Sequence, residues 1–341
     1  MPLAQLKSIF SDHGFPLVGA VSWEKSKSLY NEHFRRYDDW IQAQGHSTMA
    51  YLDRGRDRRR DPALVFPQLK TVIAVARPYP VARTEGDVLY ARYLQGDDYH
   101  EKMQESLNDA MIAAIRAEVL PAQTEFKVCV DTSAVLERTW AALCGLGWIG
   151  KNTLLIHPQF GSFLFLGVVL TNVDSDFEPT LHADYCGNCE RCLTGCPTKA
   201  LTPHWLESEK CIAYRTLEHR GDWATQKSGD DLHHKGYVAG CDICQEVCPF
   251  NLKVLAKEKN SAPVFSTAVS RKHWNDLLIE TPDQYLQRVQ GTALSRVKPN
   301  DFDRNLMKVF VESFSSAEVA SFKDQLLIRD KHWPRLGWNS L

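Results

Sequence analysis

The sequence has no long hydrophobic run, no surplus of charge and no low-complexity stretch. Its longest apolar run, residues 163–170, has eight residues. A membrane helix needs about 20, so this run predicts a buried strand instead. Forty basic and 42 acidic side chains leave a formal net charge of −2. Any nucleic acid must therefore bind a local basic patch, because no generally basic surface is available.

Export signals are also missing from the start of the sequence. The first twenty residues include Lys7, Asp12 and His13 and contain no uninterrupted apolar segment, and no arginine pair precedes an apolar stretch. We therefore expect a cytoplasmic protein with no membrane association. The 341 residues are 44% apolar and 24% charged, which is typical of a globular protein with two or three domains.

Helical and strand patterns divide the chain into three predicted units. Residues 1–175 mix both patterns, which predicts an α/β (α+β) domain. The predicted helices there are Leu3–Phe10, Lys25–Gln44, Tyr99–Glu118 and Ser133–Cys144, and the predicted strands are Val72–Ala76, Phe126–Val130, Asn152–Ile156 and Phe163–Thr171. Residues 176–255 are rich in cysteine and turn residues. Residues 256–341 contain three cysteine-free helical patterns, Ser266–Trp274, Pro282–Gln290 and Asp301–Val319.

Ten cysteines are the most informative feature that is present. In a chain of this length without an export signal they indicate metal binding or catalysis rather than disulfides. The first run is Cys186-Gly-Asn-Cys189-Glu-Arg-Cys192-Leu-Thr-Gly-Cys196-Pro197, and the second is Cys241-Asp-Ile-Cys244-Gln-Glu-Val-Cys248-Pro249. The second run repeats the C-x2-C-x2-C-x3-C-P spacing of the first, with Val238 where its first cysteine would stand.

This spacing is typical of ferredoxins with two [4Fe–4S] clusters, in which each run gives three ligands to one cluster and one to the other. The first cluster then takes Cys186, Cys189, Cys192 and Cys248. The second takes Cys196, Cys241 and Cys244, with Cys211, the nearest spare thiol, as its fourth ligand. The alternative is a pair of structural zinc sites, which does not require the Cys-Pro endings. Cys129 and Cys144 remain and are expected to be small buried core residues.

A glycine cluster, Gly145-Leu-Gly147-Trp-Ile-Gly150-Lys-Asn152, matches G-x-G-x-x-G. A nucleotide-binding loop of that kind follows a strand and opens a helix. Here a predicted helix comes before the cluster and a strand after it, so we expect a tight connection whose backbone lies close to a bound group.

Several of these segments resemble the epoxyqueuosine reductase family. The resemblance is carried by Asp131-Thr-Ser-Ala-Val-Leu-Glu-Arg138, the glycine cluster, both cysteine runs, Gly96-Asp-Asp-Tyr-His100 and Arg60-Asp-Pro62. It covers about residues 1–255. It implies a cobalamin-binding α/β domain with a fused ferredoxin-like domain, here followed by C-terminal helices. The implied reaction is the reduction of epoxyqueuosine to queuosine at the wobble position of tRNA, the last step of queuosine biosynthesis.

The resemblance also implies roles for individual residues. Asp131 resembles the family's proton donor and is expected to contact the cofactor, although an N-cap of the following helix is the alternative. Four residues are expected to contact the corrin, with surface or turn positions as the alternative: Arg59, Asn152, Thr153 and His157. No D-x-H-x-x-G motif is present, so we expect no protein histidine on cobalt.

The implied partners are a tRNA with a queuosine-type anticodon and an unidentified low-potential electron donor, and we expect a monomer. Two stretches are suited to RNA: residues 54–60, with five arginines for phosphate contacts, and residues 214–220, which mix an aromatic ring with basic groups. Their candidate contacts are Arg54, Arg56, Arg58, Tyr214, Arg215, His219 and Arg220. The alternative functions are a cobalamin-dependent reductive dehalogenase, or a related small-molecule reductase, and a plain electron-transfer module.

Overall fold

The computed structural model describes residues 1–82, 88–223, 229, 231–258 and 273–333. The strands are β1 Leu17–Ser22, β2 Thr71–Pro78, β3 Leu89–Tyr90, β4 Phe126–Cys129, β5 Trp148–Ile149, β6 Leu155–Ile156, β7 Leu164–Thr171, β8 Leu201–Thr202, β9 Trp205–Leu206 and β10 Tyr237–Ala239. The helices of the first half are α1 Leu3–Asp12, α2 Trp23–Gln42, α3 Ala50–Arg54, α4 Arg56–Arg60, α5 Tyr99–Arg116 and α6 Glu137–Leu143. Those of the second half are α7 Arg191–Gly195, α8 Ile212–Leu217, α9 Ile243–Glu246, α10 Pro249–Glu258, α11 Trp274–Leu278, α12 Pro282–Val289, α13 Pro299–Ser313, α14 Ser316–Val319 and α15 Lys323–His332.

A four-stranded sheet in the order β1-β2-β7-β4 organises the first half of the chain, and every neighbouring pair is antiparallel. The two central strands are apolar and mostly buried because both faces of the sheet are covered. Residues of α1 and α5 pack on one face, and residues of α2 and α6 pack on the other. The mixed composition predicted from the sequence is thus realised as an α+β arrangement.

Two predicted elements are shorter than expected, and both differences lie around the site described below. The predicted strand Asn152–Ile156 is reduced to β6, because Asn152 and Thr153 form the turn of a hairpin with β5, and Thr153 has a φ of +67°. The predicted helix Ser133–Cys144 begins only at Glu137, with Leu136 as its N-cap. Asp131 lies in the irregular loop before it, so the N-cap alternative for Asp131 is wrong.

The cysteine-rich and C-terminal segments share one apolar core with part of the first half. β10 pairs in parallel with β3, and residues of both strands pack against α8, α11, α12 and α13. This core crosses the predicted boundaries at residues 175 and 255. Asp301–Val319 is divided into α13 and α14, because Ser315 begins a new helix with a capping box to Glu318.

Most of the predicted helix Ser266–Trp274 lies outside the described residues, and α11 begins at its last residue. No helix among the residues described has both the length and the apolar character needed to cross a membrane.

Candidate functional site

Asp131 stands in a loop just after β4 and is held by groups from two distant parts of the chain. Its backbone has a φ of +55°, an uncommon conformation in which aspartate is tolerated better than most residues. Its Oδ2 atom accepts hydrogen bonds from Nε2 of His100, at 3.0 Å, and from Nη1 of Arg296, at 2.9 Å. The side chain remains 47% exposed, so a substrate can reach the carboxylate.

His100 is fixed in the first turn of α5 by contacts on several sides. Asp98 caps this helix by accepting from the His100 backbone N–H, and its Oδ1 atom also lies 2.6 Å from Nδ1 of the His100 ring. The Tyr99 ring stacks on His100 at 3.9 Å and on Phe165 of β7 at 4.0 Å. One imidazole therefore joins two carboxylates, Asp98 and Asp131, in a single hydrogen-bonded chain.

The protonation states of this pair follow from those contacts. Burial opposes a charge on His100, but its hydrogen bonds to Asp131 and Asp98 outweigh burial and raise the pKa of the ring. Burial likewise opposes a charge on Asp131, but His100 and Arg296 together lower the pKa of its carboxyl. Both shifts favour the same resting pair, an imidazolium beside a carboxylate, with the proton on His100.

Arg296 reaches Asp131 from the 3₁₀ turn Ala293–Arg296 in the C-terminal segment. Its second nitrogen, Nη2, lies 3.4 Å from a carboxylate oxygen of Glu218, and Nη2 of Arg220 donates to its backbone carbonyl at 2.9 Å. Sequence reasoning missed this residue because 165 positions separate it from Asp131 and no motif surrounds it. His100 was part of a recognised motif, but nothing in the sequence connected it to Asp131.

The glycine turn, residues 145–152, brings the predicted corrin contacts near this loop. Asn152 is buried, and its Nδ2 donor has no hydrogen-bond partner among the residues described. The backbone carbonyl of Thr153 accepts from Nη1 of Arg138 at 2.6 Å, and the same guanidinium lies within electrostatic reach of Asp131. Arg138 therefore connects the turn to the Asp131 loop.

The two other predicted corrin contacts make internal hydrogen bonds. Nδ1 of His157 accepts from the backbone N–H groups of Gln159 and Phe160, at 3.0 and 3.2 Å, and burial lowers the pKa of this ring. Arg59 is 7% exposed and donates from Nη1 to the carbonyl of Leu52 at 3.3 Å.

The structure gathers the seven cysteines of the two runs and Cys211 into two groups, and no cysteine of the chain forms a disulfide. Cys192 interacts electrostatically with Cys186, Cys189 and Cys248, which we call the first cysteine set. Cys244 interacts with Cys196, Cys211 and Cys241, the second cysteine set. These sets are the two predicted from the spacing. In the described part of the chain, we find no group of three or more histidine, cysteine or acidic side chains placed to hold a single metal ion.

The two remaining cysteines are buried, as expected from the sequence. Cys129 is fully buried at the end of β4, and Cys144 is 7% exposed. Val238 is fully buried in β10.

Comparisons with known proteins follow the same division of the chain. The family model described as "Epoxyqueuosine reductase QueG, DUF1730" matches residues 59–132, and the 4Fe-4S double cluster binding domain matches residues 185–251. The epoxyqueuosine reductase of Gloeobacter violaceus is 35% identical over 311 residues, which cover 89% of this chain and 93% of that protein. That of Synechocystis is 34% identical over 295 residues, covering 82% and 96%. This chain belongs to the epoxyqueuosine reductase family.

Solved structures of epoxyqueuosine reductases share the fold. The protein from Bacillus subtilis superposes with a TM-score of 0.77 at 22% identity, covering 98% of this chain and 86% of that one. An epoxyqueuosine reductase with an epoxyqueuosine-modified tRNA-Tyr stem loop gives 0.76 at 21% identity, covering 94% and 84%. The family resemblance predicted from the sequence is confirmed, as is a domain for two iron–sulfur clusters.

The predicted tRNA contacts of this epoxyqueuosine reductase family member fall into exposed and buried groups. Arg54 and Arg58 are exposed on α3 and α4, and Arg56 pairs with Asp38. Arg220 is 47% exposed and pairs with Asp301.

The other three predicted contacts are corrected, because Tyr214, Arg215 and His219 are at most 4% exposed. The Tyr214 hydroxyl lies 2.6 Å from the hydroxyl of Thr48, and Arg215 lies against the ring of Trp223. These side chains hold the fold together and present no surface to RNA.

Proposed function

We propose that this chain reduces epoxyqueuosine to queuosine in tRNA, with electrons carried by two [4Fe–4S] clusters to a bound cobalamin. The observation that carries the proposal is the Asp131 site, in which an accessible carboxylate is hydrogen-bonded to a buried imidazole whose contacts favour its protonated form. Removal of an epoxide oxygen as water requires protons as well as electrons, and a general acid beside the leaving oxygen lowers that barrier.

His100 and Asp131 act together as this acid. Asp131 faces the substrate and passes a proton to the departing oxygen, while His100 protonates Asp131 from behind. Asp98 keeps the ring oriented, because its carboxylate accepts from Nδ1 and leaves Nε2 directed at Asp131. Arg296 holds the same oxygen of Asp131 and is a positioning residue for the acid.

The glycine turn fits the corrin that the family resemblance implies. A corrin carries amide side chains, and the unpaired buried Nδ2 of Asn152 is a donor suited to an amide carbonyl. Asn152, Thr153 and His157 would hold the group, with Arg59 beneath α3. Cobalamin, when bound, supplies a strongly nucleophilic reduced cobalt.

The cysteine sets supply the electron path. Each brings together four thiols and includes members of both runs, with Cys211 completing the second set, as the exchanged ligands of a two-cluster ferredoxin do. The matched double-cluster domain supports this assignment. The electron donor that feeds the clusters is a separate low-potential protein or reductant.

An RNA surface lies beside the acid. Tyr51 on α3 is 44% exposed and lies within electrostatic reach of Asp131 and Arg296. Exposed aromatic rings stack on unpaired bases, and the neighbouring Arg54 and Arg58 are free to contact phosphates. We place the anticodon loop across this face, with the modified base directed at Asp131.

The deciding experiment is anaerobic reconstitution followed by reaction with epoxyqueuosine-containing tRNA and an artificial reductant. Mass analysis of the tRNA digest should show conversion to queuosine. Asp131→Asn should keep cobalamin and both clusters yet lose about 100-fold or more of the rate, as expected for loss of a general acid. Asp97→Asn, at an exposed position of the same motif, is the matched control. No conversion by fully loaded enzyme refutes the function, and conversion of a haloaromatic instead supports a dehalogenase.

The RNA placement has its own test. Combined replacement of Arg54 and Arg58 by alanine should weaken tRNA binding and lower the salt slope by about 1 per lost phosphate contact. Arg116→Ala, exposed at the end of α5, should leave both unchanged. If the salt dependence of tRNA binding is unaltered in the double variant, the RNA binds a different surface.

A further inference from the structure

The glycine turn makes three direct connections to the loops that carry the cysteines. Nε1 of Trp148 donates to Sγ of Cys186 at 3.5 Å. Nζ of Lys151 donates to the backbone carbonyls of Gly187 and Cys189, at 2.8 and 3.1 Å. The Lys151 carbonyl accepts from the backbone N–H of His204 at 3.0 Å. Two of the three connections end on the segment between two members of the first cysteine set.

Trp148 is held firmly in place for this contact. It is 4% exposed, and the rings of Tyr185 and Phe250 meet it edge to face at 5.1 and 4.8 Å. Tyr185 precedes Cys186, and Phe250 follows the Cys248-Pro249 pair. The indole is thus clamped between residues that flank two ligands of the same set.

Glycine at position 147 is required for this arrangement. Its φ is +150°, and a Cβ atom there would lie 2.2 Å from the backbone oxygen of Ile156. A side chain would therefore force apart the β5–β6 hairpin that carries Trp148. The hairpin and the cysteine loop are built as one unit.

We infer that Trp148 and Lys151 raise the reduction potential of the cluster held by the first cysteine set. Reduction adds negative charge that spreads onto the thiolates, and hydrogen bonds to cluster sulfurs are a known determinant of potential. The indole N–H stabilises the added charge directly at Cys186. The ammonium group of Lys151 places a positive charge against the same loop and favours the reduced state through space.

The second cysteine set is served by different donors. Sγ of Cys196 lies 3.4 Å from the backbone N–H of Ala200 and 3.5 Å from the Thr198 hydroxyl. None of these donors belongs to the glycine turn. The two clusters therefore have separate controls, and only the first is adjusted by the turn that carries Asn152.

This inference rests on the proposed cofactors, and the experiment tests them first. Iron and sulfide content and the electron paramagnetic resonance signal of the reduced protein establish whether two clusters are present. If they are absent in the wild-type chain, the proposed function fails. If they are present, potentiometric titration of each signal tests the inference by itself.

Trp148→Phe keeps the ring and removes the donor. We expect one of the two clusters to become harder to reduce by about tenfold in its equilibrium constant, which is about 59 mV for one electron. Thr198→Val should shift the other cluster and leave this one unchanged. The assignment is overturned if both variants shift the reduction potential of the same cluster, or if neither variant shifts a potential.

Lys151 provides a second route if Trp148→Phe loads poorly. Lys151→Met should lower the same potential, and the shift should shrink at high salt because the side chain is partly exposed. Lys151→Arg keeps the charge and the donors and should restore the wild-type value. Equal potentials in the methionine and arginine variants would exclude a role for the charge.

Discussion

Replacement of His100 by glutamine tests whether the imidazole stores the proton that Asp131 delivers. Glutamine keeps a polar group near Asp98 and Asp131 but does not titrate. In the wild-type protein the pair holds one proton, and its apparent pKa belongs to the pair rather than to either residue. Since the pKa of His100 is raised, the rate of the wild type should change less with pH than that of a variant without the imidazole. In the variant only Asp131 is left to titrate.

The size of the effect can be worked from the surroundings of Asp131. Without His100, burial raises the pKa of the Asp131 carboxyl and Arg296 lowers it, and no titrating partner remains to protonate the carboxylate. An ordinary aspartic acid, with a pKa of about 3.9, is protonated in only about one molecule in 1,000 at about pH 7. A carboxylic acid is a stronger acid than an imidazolium, and by Brønsted behaviour this difference recovers about tenfold of the lost rate. We expect a net loss of about 10- to 100-fold at neutral pH.

The assay is single-turnover conversion of epoxyqueuosine-containing tRNA by pre-reduced enzyme between about pH 5.5 and 7.5. The rate of the variant should rise more steeply on acidification than that of the wild type, by up to about tenfold for each pH unit. His13→Gln, at the end of α1, where the ring bonds to the Ile9 carbonyl, is the matched control. A variant that is slower but has the wild-type pH profile would show that His100 only positions Asp131. The reasoning about the stored proton would then be wrong.

Three further predictions concern stability and cofactor content. Burial raises the pKa of Glu137 to about 7, so this group stabilises the fold below about pH 4.5 and loses that contribution as the pH rises through 7. Glu137→Gln should leave the free energy of unfolding by urea little changed at pH 5 and raise it by about 1–3 kcal/mol at pH 8. The control Glu101→Gln, at an exposed position, should show no such difference between the two pH values. Equal effects of Glu137→Gln at both pH values would contradict the prediction. His234 is fully buried with neither ring nitrogen paired among the described residues, and burial lowers its pKa well below the usual value. The free energy of unfolding should therefore fall as the pH drops below about 6.5. In thermal melts, His234→Phe should make this decline less steep. An unchanged decline in the variant would show that His234 is not its cause. Cys211→Ser should lose the iron of one cluster and keep the other, and retention of eight irons per chain would remove Cys211 from the ligands.

The cysteine sets show how much local sequence spacing can predict about a cluster-binding site. Ligand spacing within each run restricts which thiols can meet around one cluster, so both sets followed from counting and from the exchange of the fourth ligand. Cys211 was assigned as a ligand in the same way, because Val238 stands where the spacing calls for a cysteine.

The candidate acid was predicted less completely. Asp131 was recognised through its motif, but its partners His100 and Arg296 come from a helix start and from a 3₁₀ turn near the other end of the chain.

The RNA prediction shows the opposite case. A run that mixes tyrosine, arginine and histidine looks the same in sequence whether it faces solvent or the interior. In the structure α8 is covered by α13, and Arg304 donates to the carbonyls of Arg215 and His219. The backbone of this run is therefore bound to α13, and its buried side chains are part of the fold.

The sequence by itself determined the family, predicted the grouping of the cysteines and the candidate acid Asp131, and located the longer helices and the central strands of the sheet. These properties depend on short-range spacing and periodicity, which the chain carries locally. Only the tertiary structure decided that the sheet is wholly antiparallel, that Arg296 reaches Asp131, and that Trp148 and Lys151 touch the loop of the first cysteine set. Each of these requires segments far apart in sequence to pack together, and their packing depends on the summed burial of the whole core rather than on any motif.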